Sequence, residues 1–110
     1  MVLEDFLIPK EVITFQSGKV KTLDDSFDFY ITNQRILLYR RKGVLFRKDR
    51  VITERLEDVR ALHYVEKGLV NKKGVLRIET STKKMDPIEG KIPDIKAIWQ
   101  ELQRYVKKDE

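Results

Sequence analysis

The residues able to do chemistry are few, and their spacing excludes more than it suggests. His63 is the only histidine and there is no cysteine, which leaves no material for a thiolate or multi-histidine metal cage. A single imidazole within a β-prone run is expected to be a tolerated surface or half-buried residue rather than a catalyst. Gly18-Lys19 lacks the upstream glycine and the following Ser or Thr of a phosphate-binding P-loop. Asp24, Asp25 and Asp28 carry carboxylates that suit a hard cation, but a solvated acidic loop is the expected reading. Trp99 and Tyr105 could form a stacking platform, although their helical spacing assigns them to the core. No catalytic constellation emerges, and neither a metal nor a cofactor is expected. The chain reads as a non-enzyme.

What remains is positive charge. Between Arg35 and Arg60 nine Lys or Arg stand against four acids, and the rest of the chain is balanced at fourteen of each, so the whole net charge of +5 lies in this quarter. A localised basic face marks an anionic partner such as a membrane, a nucleic acid or an acidic protein. The same residues also guard exposed strand edges. Arg40, Arg41, Lys42, Arg47 and Lys48, with Lys72 and Lys73 from a later loop, are the candidate anion- or partner-binding residues.

The chain of 110 residues, 41% of them apolar, is the size of one domain with a single core. Acids stand where a signal peptide would be positive, and the first apolar run stops at Pro9. No stretch approaches the roughly 20 apolar residues of a membrane span. The expected location is the cytoplasm, with a peripheral position at a membrane as the alternative.

The elements that must position these residues are mostly strands. Glu11 to Gln16 reads as a strand broken at Ser17-Gly18 and continuing through Lys19 to Lys21, with a polar, acidic connection from Thr22 to Ser26. Phe27, Phe29 and Ile31 alternate with Asp28, Tyr30 and Thr32, the period-two pattern of a strand with one buried face. Thr32-Asn33-Gln34-Arg35 reads as a tight reversal in which Asn supplies a positive φ. Ile36 to Tyr39 carries apolar groups on both faces, so something must cover each side. Arg41-Lys42-Gly43 reads as the next turn, and Val44 to Lys48 as a returning strand that runs on to Val51-Ile52. Thr53 to Asp58 is a short link in which Thr53 could cap a helical turn. Strands are expected over Val59 to Glu66 and Gly74 to Thr80, joined by a basic loop, and a short edge strand over Met85 to Ile88, since Pro87 cannot donate to a ladder.

The last segment changes period. Pro93 and Asp94 suit the start of a helix, expected over about 93–108, with Lys107 and Lys108 at its negative end. Ile95, Ile98, Trp99, Leu102, Tyr105 and Val106 fall on one stripe, which must lie on the sheet. The order is an N-terminal extension of about ten residues, about seven strands and one helix, in a single domain over 1–110.

That order, with Tyr30-Ile31-Thr32-Asn33-Gln34-Arg35-Ile36-Leu37-Leu38-Tyr39, Leu56-Glu57-Asp58-Val59 and Gly74-Val75-Leu76-Arg77-Ile78, resembles the bacterial and archaeal pleckstrin-homology-like (PH) domain family from about Glu11 to Lys108. The resemblance implies a mainly β fold: two nearly orthogonal antiparallel sheets of about seven strands in a partly open barrel capped by the C-terminal helix. Its motifs are structural. In eukaryotic PH domains that bind phosphoinositides a basic pattern crosses the first strand connection; Lys19 and Lys21 match part of it, while Asp24 and Asp25 oppose a polyphosphate there. The leading functional expectation is a non-catalytic interaction module that binds a protein partner or itself through a sheet edge or the groove beside the helix. The alternatives are weak peripheral binding to an anionic membrane through the basic patch around 40–50 and, ranked last, binding of a nucleic-acid backbone.

Overall fold

The computed structural model describes residues 7–23, 25–40 and 50–106. The expected strand Val44 to Lys48 and the turn at Gly43 lie outside the described residues. Seven strands precede one helix: β1 Ile13–Thr22, β2 Asp25–Thr32, β3 Arg35–Arg40, β4 Arg50–Arg55, β5 Val59–Lys67, β6 Lys73–Thr80, β7 Ile88–Gly90 and α1 Ile92–Leu102. All ladders are antiparallel, and they join every strand into one sheet in the order β4-β3-β2-β1-β7-β6-β5. The two separate sheets implied by the resemblance are therefore one hydrogen-bonded sheet.

Chain length dictates its curl. Flat, six strand spacings would hold β4 and β5 about 29 Å apart, yet the two are joined only by the 3-10 turn Leu56–Asp58. Even fully extended, such a link spans only about 14 Å. The sheet must roll until its two edges meet at this corner, giving a curled half-barrel. The corner is pinned on both sides, because the Leu56 amide donates to the Gln34 carbonyl (3.1 Å) and the Ser81 amide to the Asp58 carbonyl (2.8 Å). Strand β4 runs through Thr53, so Thr53 caps nothing; Arg55 precedes the turn, without a side-chain cap.

The period-two reading of β2 holds, with Phe27, Phe29 and Ile31 completely buried alongside Ile36 and Leu38 of β3. The opposite face of β3 is covered too, where Leu37 and Tyr39 pack with Leu7, Tyr30 and Val51. An N-terminal residue, rather than a helix, helps to provide that cover. The Ser17-Gly18 break is a register shift within β1, between the pairs Gln16↔Tyr30 and Lys19↔Asp28, so one long strand continues through a bulge. The acidic connection shrinks to two residues, since Thr22 pairs with Asp25. Leu23 turns the corner at φ 53°.

The final strand differs from expectation. Pairing with β6 resumes at Ile88, just beyond Pro87, and β7 lies inside the sheet between β6 and β1 rather than at an edge. Proline lacks the donor that pairing needs, so the ladder begins after it.

Helix α1 is shorter than 93–108, ending at Leu102 and followed by turns to Tyr105. Its Ile95, Ile98 and Leu102 are buried, while Trp99, Tyr105 and Val106 are partly exposed at the margin of the core. It packs chiefly on β6, β1, β5 and β7, the half of the sheet away from the β2–β3 hairpin. Gly74 and Gly90 permit this approach: a Cβ at Gly74 would stand 2.9 Å from the Ile95 Cβ, and one at Gly90 3.1 Å from its Cδ1. Trp99 stacks on Tyr64 at 5.3 Å between centroids and 14° between planes.

Candidate functional site

Of the seven basic candidates, Arg40, Lys72 and Lys73 lie among the described residues. Arg41, Lys42, Arg47 and Lys48 lie outside the described residues. Arg40, at the end of β3, pairs with Asp25, and the same carboxylate lies 3.4 Å from Arg50 Nη1. Asp25 thus bridges two arginines and offsets one of their two charges. Asp28 in turn meets Lys19 at 3.2 Å. Among the described residues no three His, Cys, Asp or Glu side chains gather into a metal-binding group. His63 is a surface residue with its Nε2 3.6 Å from Glu79 Oε1.

Lys72 and Lys73 occupy a different setting. They enter β6 from the β5–β6 loop and, with Lys19 and Lys21 on the outer face of β1 and Lys91 before α1, line an open groove of about 650 Å³ whose one acid is Glu89. The groove gathers lysines from three separate segments of the chain. Glu89 reports the local field: the hydrogen bond from Lys67 (2.6 Å) and the charges of Lys67, Lys73 and Lys21 hold its carboxyl below the ordinary value against the opposing effect of burial. Beside the groove, Leu69 and Val70 project from the loop with 99% and 90% of their surface exposed.

A third region lies at the Thr32-Asn33-Gln34-Arg35 turn. Here Arg35 grips Glu11 with a fork, Nε to Oε2 at 2.8 Å and Nη2 to Oε1 at 3.0 Å. Thr32 Oγ1 donates to the same carboxylate at 2.6 Å, and the Ile8 amide does so at 2.9 Å. Burial raises the Glu11 pKa, but these donors and the Arg35 charge outweigh it and leave the group below its ordinary value. Asn33 does not take a positive φ, which among the described non-glycine residues falls to Lys10 and Leu23. Its side chain instead receives the Val12 amide (3.0 Å) and donates to the Lys10 carbonyl (3.3 Å). The turn is therefore a clamp for residues 8–12. An open groove of about 810 Å³ runs past it along Leu56–Asp58 and Tyr105. Charged groups in that groove engage nearby partners: Arg35 with Glu11, Glu54 with Lys83 (2.7 Å) and Arg55 with Glu57.

The sheet also presents an edge. Strand β5 pairs with β6 from Val59 to Lys67, and among the described residues no strand pairs with its other side. Val65 on that strand is 53% exposed. With Met85, Pro87 and His63 it borders an open groove of about 680 Å³.

No family model and no curated protein matches the chain. A solved structure does: the crystal structure of a pleckstrin homology domain from Shewanella amazonensis SB2B, 18% identical, superposes with a TM-score of 0.68 over 94% of this chain and 90% of that one. The fold is that of a PH-like domain. At this identity the likeness concerns architecture: the curled antiparallel sheet and the C-terminal helix. The Thr-Asn-x-Arg segment that carried the resemblance has a structural role in this PH-like domain, since Thr32 and Arg35 hold Glu11.

Proposed function

We propose that this PH-like domain is a non-catalytic interaction module that accepts an extended protein segment, from a partner or a second copy, along the outer edge of β5. The observation that carries this reading is the length of that edge: nine residues, Val59–Lys67, hydrogen-bonded on one side and without a strand on the other among the described residues. An added strand gains main-chain hydrogen bonds along its length, while side-chain pockets beside the edge give specificity. Val65 supplies an exposed apolar side chain on this strand, and Arg60, Glu66 and Lys67 place charges along it, which discourage indiscriminate pairing. A cytoplasmic location accords with such a role. Among the described residues no helix is long and apolar enough to cross a membrane.

The test begins with the protein itself. Sedimentation across a wide concentration range should show reversible self-association that weakens about tenfold or more in Val65→Lys, with slowed amide exchange in β5 at high concentration. A strict monomer eliminates the second copy as occupant. In that case, loss of chemical crosslinks from β5 to cellular proteins in the Val65→Lys variant would support a partner strand, and unchanged crosslinks would refute the edge-binding reading.

A further inference from the structure

The segment clamped by Arg35 is independent of the β5 edge and conceals a face of its own. Leu37 and Tyr39 lie on the side of β3 turned away from the main core, yet both are buried. Leu7 packs on them together with Tyr30 and Val51. What brings Leu7 back onto the sheet is the turn Ile8-Pro9-Lys10-Glu11, in which the Glu11 amide donates to the Ile8 carbonyl at 3.0 Å. Lys10 occupies the third position of this turn at φ 68°, a conformation that suits glycine and strains a lysine.

One carboxylate serves both ends of this arrangement. Glu11 accepts the Ile8 amide, which closes the turn on itself, and it takes the Arg35 fork and the Thr32 hydroxyl, which fix the turn to the sheet. Ile8, Pro9 and Lys10 are exposed, so they contribute little burial to hold the turn down. Losing the Glu11 charge therefore weakens the closure of the turn and its attachment together, and lifting the turn relieves the backbone at Lys10.

We propose that residues 7–11 form a cover that opens as one unit on the intact sheet, with Glu11 as its latch, Val12 as its hinge and the apolar face of Leu37 and Tyr39 as what it conceals. Val12 can stay in place while the cover lifts, because its amide and carbonyl are both bonded to Asn33. Pairing of β1 with β2 begins at Ile13, so opening breaks no ladder between strands and requires less than unfolding. Each hydrogen bond to the charged carboxylate favours the closed form about tenfold or more. The strap thus holds in reserve an apolar surface on the outside of β3, separate from the β5 edge.

Native-state hydrogen exchange of the whole chain tests this. The Ile8 and Glu11 amides should exchange through a local opening with a shallow denaturant dependence, at least about tenfold more often than the core amides of β2 and β3. Glu11→Gln should raise that opening about tenfold or more and increase binding of the apolar dye ANS, with circular dichroism reporting that the sheet is intact. Leu7→Ser should raise it about fivefold, as for a half-buried leucine, and in each variant both amides should move by a common factor. Wild-type exchange needs no variant, so a variant that fails to fold leaves the first arm standing. Ile8 and Glu11 amides that open only with the global denaturant slope overturn the proposal. So does Leu7→Ser that leaves the Glu11 amide unchanged, which would make latch and cover separate, or Glu11→Gln without added dye binding, which would leave Leu37 and Tyr39 covered by something else.

Discussion

Around Glu11 the charges close on one another. Its side chain is wholly buried, takes the Arg35 fork and is linked to Thr32 and Ile8. Across the molecule, in the groove beside β7, four lysines have no described ion-pair partner and stand next to two bare apolar residues. The first arrangement orients a chain segment; the second leaves electrostatic and hydrophobic free energy available to something outside the fold. The comparison shows why total charge is a poor guide to function: what matters is whether opposite charges meet within the folded chain.

Glu11→Ala should give the largest effect. Breaking a buried ion pair costs about 3 to 5 kcal/mol; Arg35 retains some exposure, which places the loss near the lower end, about 3 kcal/mol by denaturant unfolding. The pH dependence has a definite sign. Glu11 has a folded pKa below its ordinary 4.5, so its stabilisation is complete above that value and disappears as pH falls through the depressed folded pKa. Acid titration of the wild-type protein and of Glu11→Gln should diverge at neutral pH and converge in acid. Parallel curves would break the contrast by removing the clamp.

Trp99→Ala should follow. A buried aromatic costs about 3 to 5 kcal/mol when truncated. Trp99 is only partly buried and relies on one stacked partner, Tyr64, so about 2 kcal/mol is expected from the same measurement. A neutral result would release α1 from β5 and reopen a binding role for the ring. Lys72→Glu with Lys73→Glu should shift stability least, by under about 0.5 kcal/mol, as for surface positions without internal partners. A destabilisation comparable to that of Glu11→Ala would show that these lysines serve the fold.

The sequence and the structure agree where the signal is local. Alternation in Phe27, Phe29 and Ile31 announced a buried strand face, Ser17-Gly18 announced a break that became a bulge, and the spacing of Ile95, Ile98 and Leu102 announced the helix. The clamp was hidden because its partners lie on opposite sides of β1 in the chain, and neither Thr32 nor Arg35 reveals which acid it will hold. The lysine groove was hidden for another reason. Lys19, Lys21, Lys72, Lys73 and Lys91 belong to the part of the chain whose charges balance in number, and only the curl of the sheet separates those lysines from the acids that offset them. Conversely, Arg35, Arg40, Arg50 and Arg55 helped to make 35–60 look cationic, yet each meets a carboxylate in the fold. Pro87 marked the last strand correctly as a disruption but not which side of it would pair.

The place of β7 has a kinetic consequence. Strands β1 to β4 and the β5–β6 pair are assembled from sequence neighbours, whereas the β1–β7 ladder, Lys21 against Glu89, joins distant parts of the chain. Such a contact bears a loop-closure entropy that local hairpins avoid and tends to form late. Disrupting this ladder should therefore accelerate unfolding more than it slows refolding, with a chevron plot as the readout. On that outcome the three-residue strand β7 is the latch of the folding reaction.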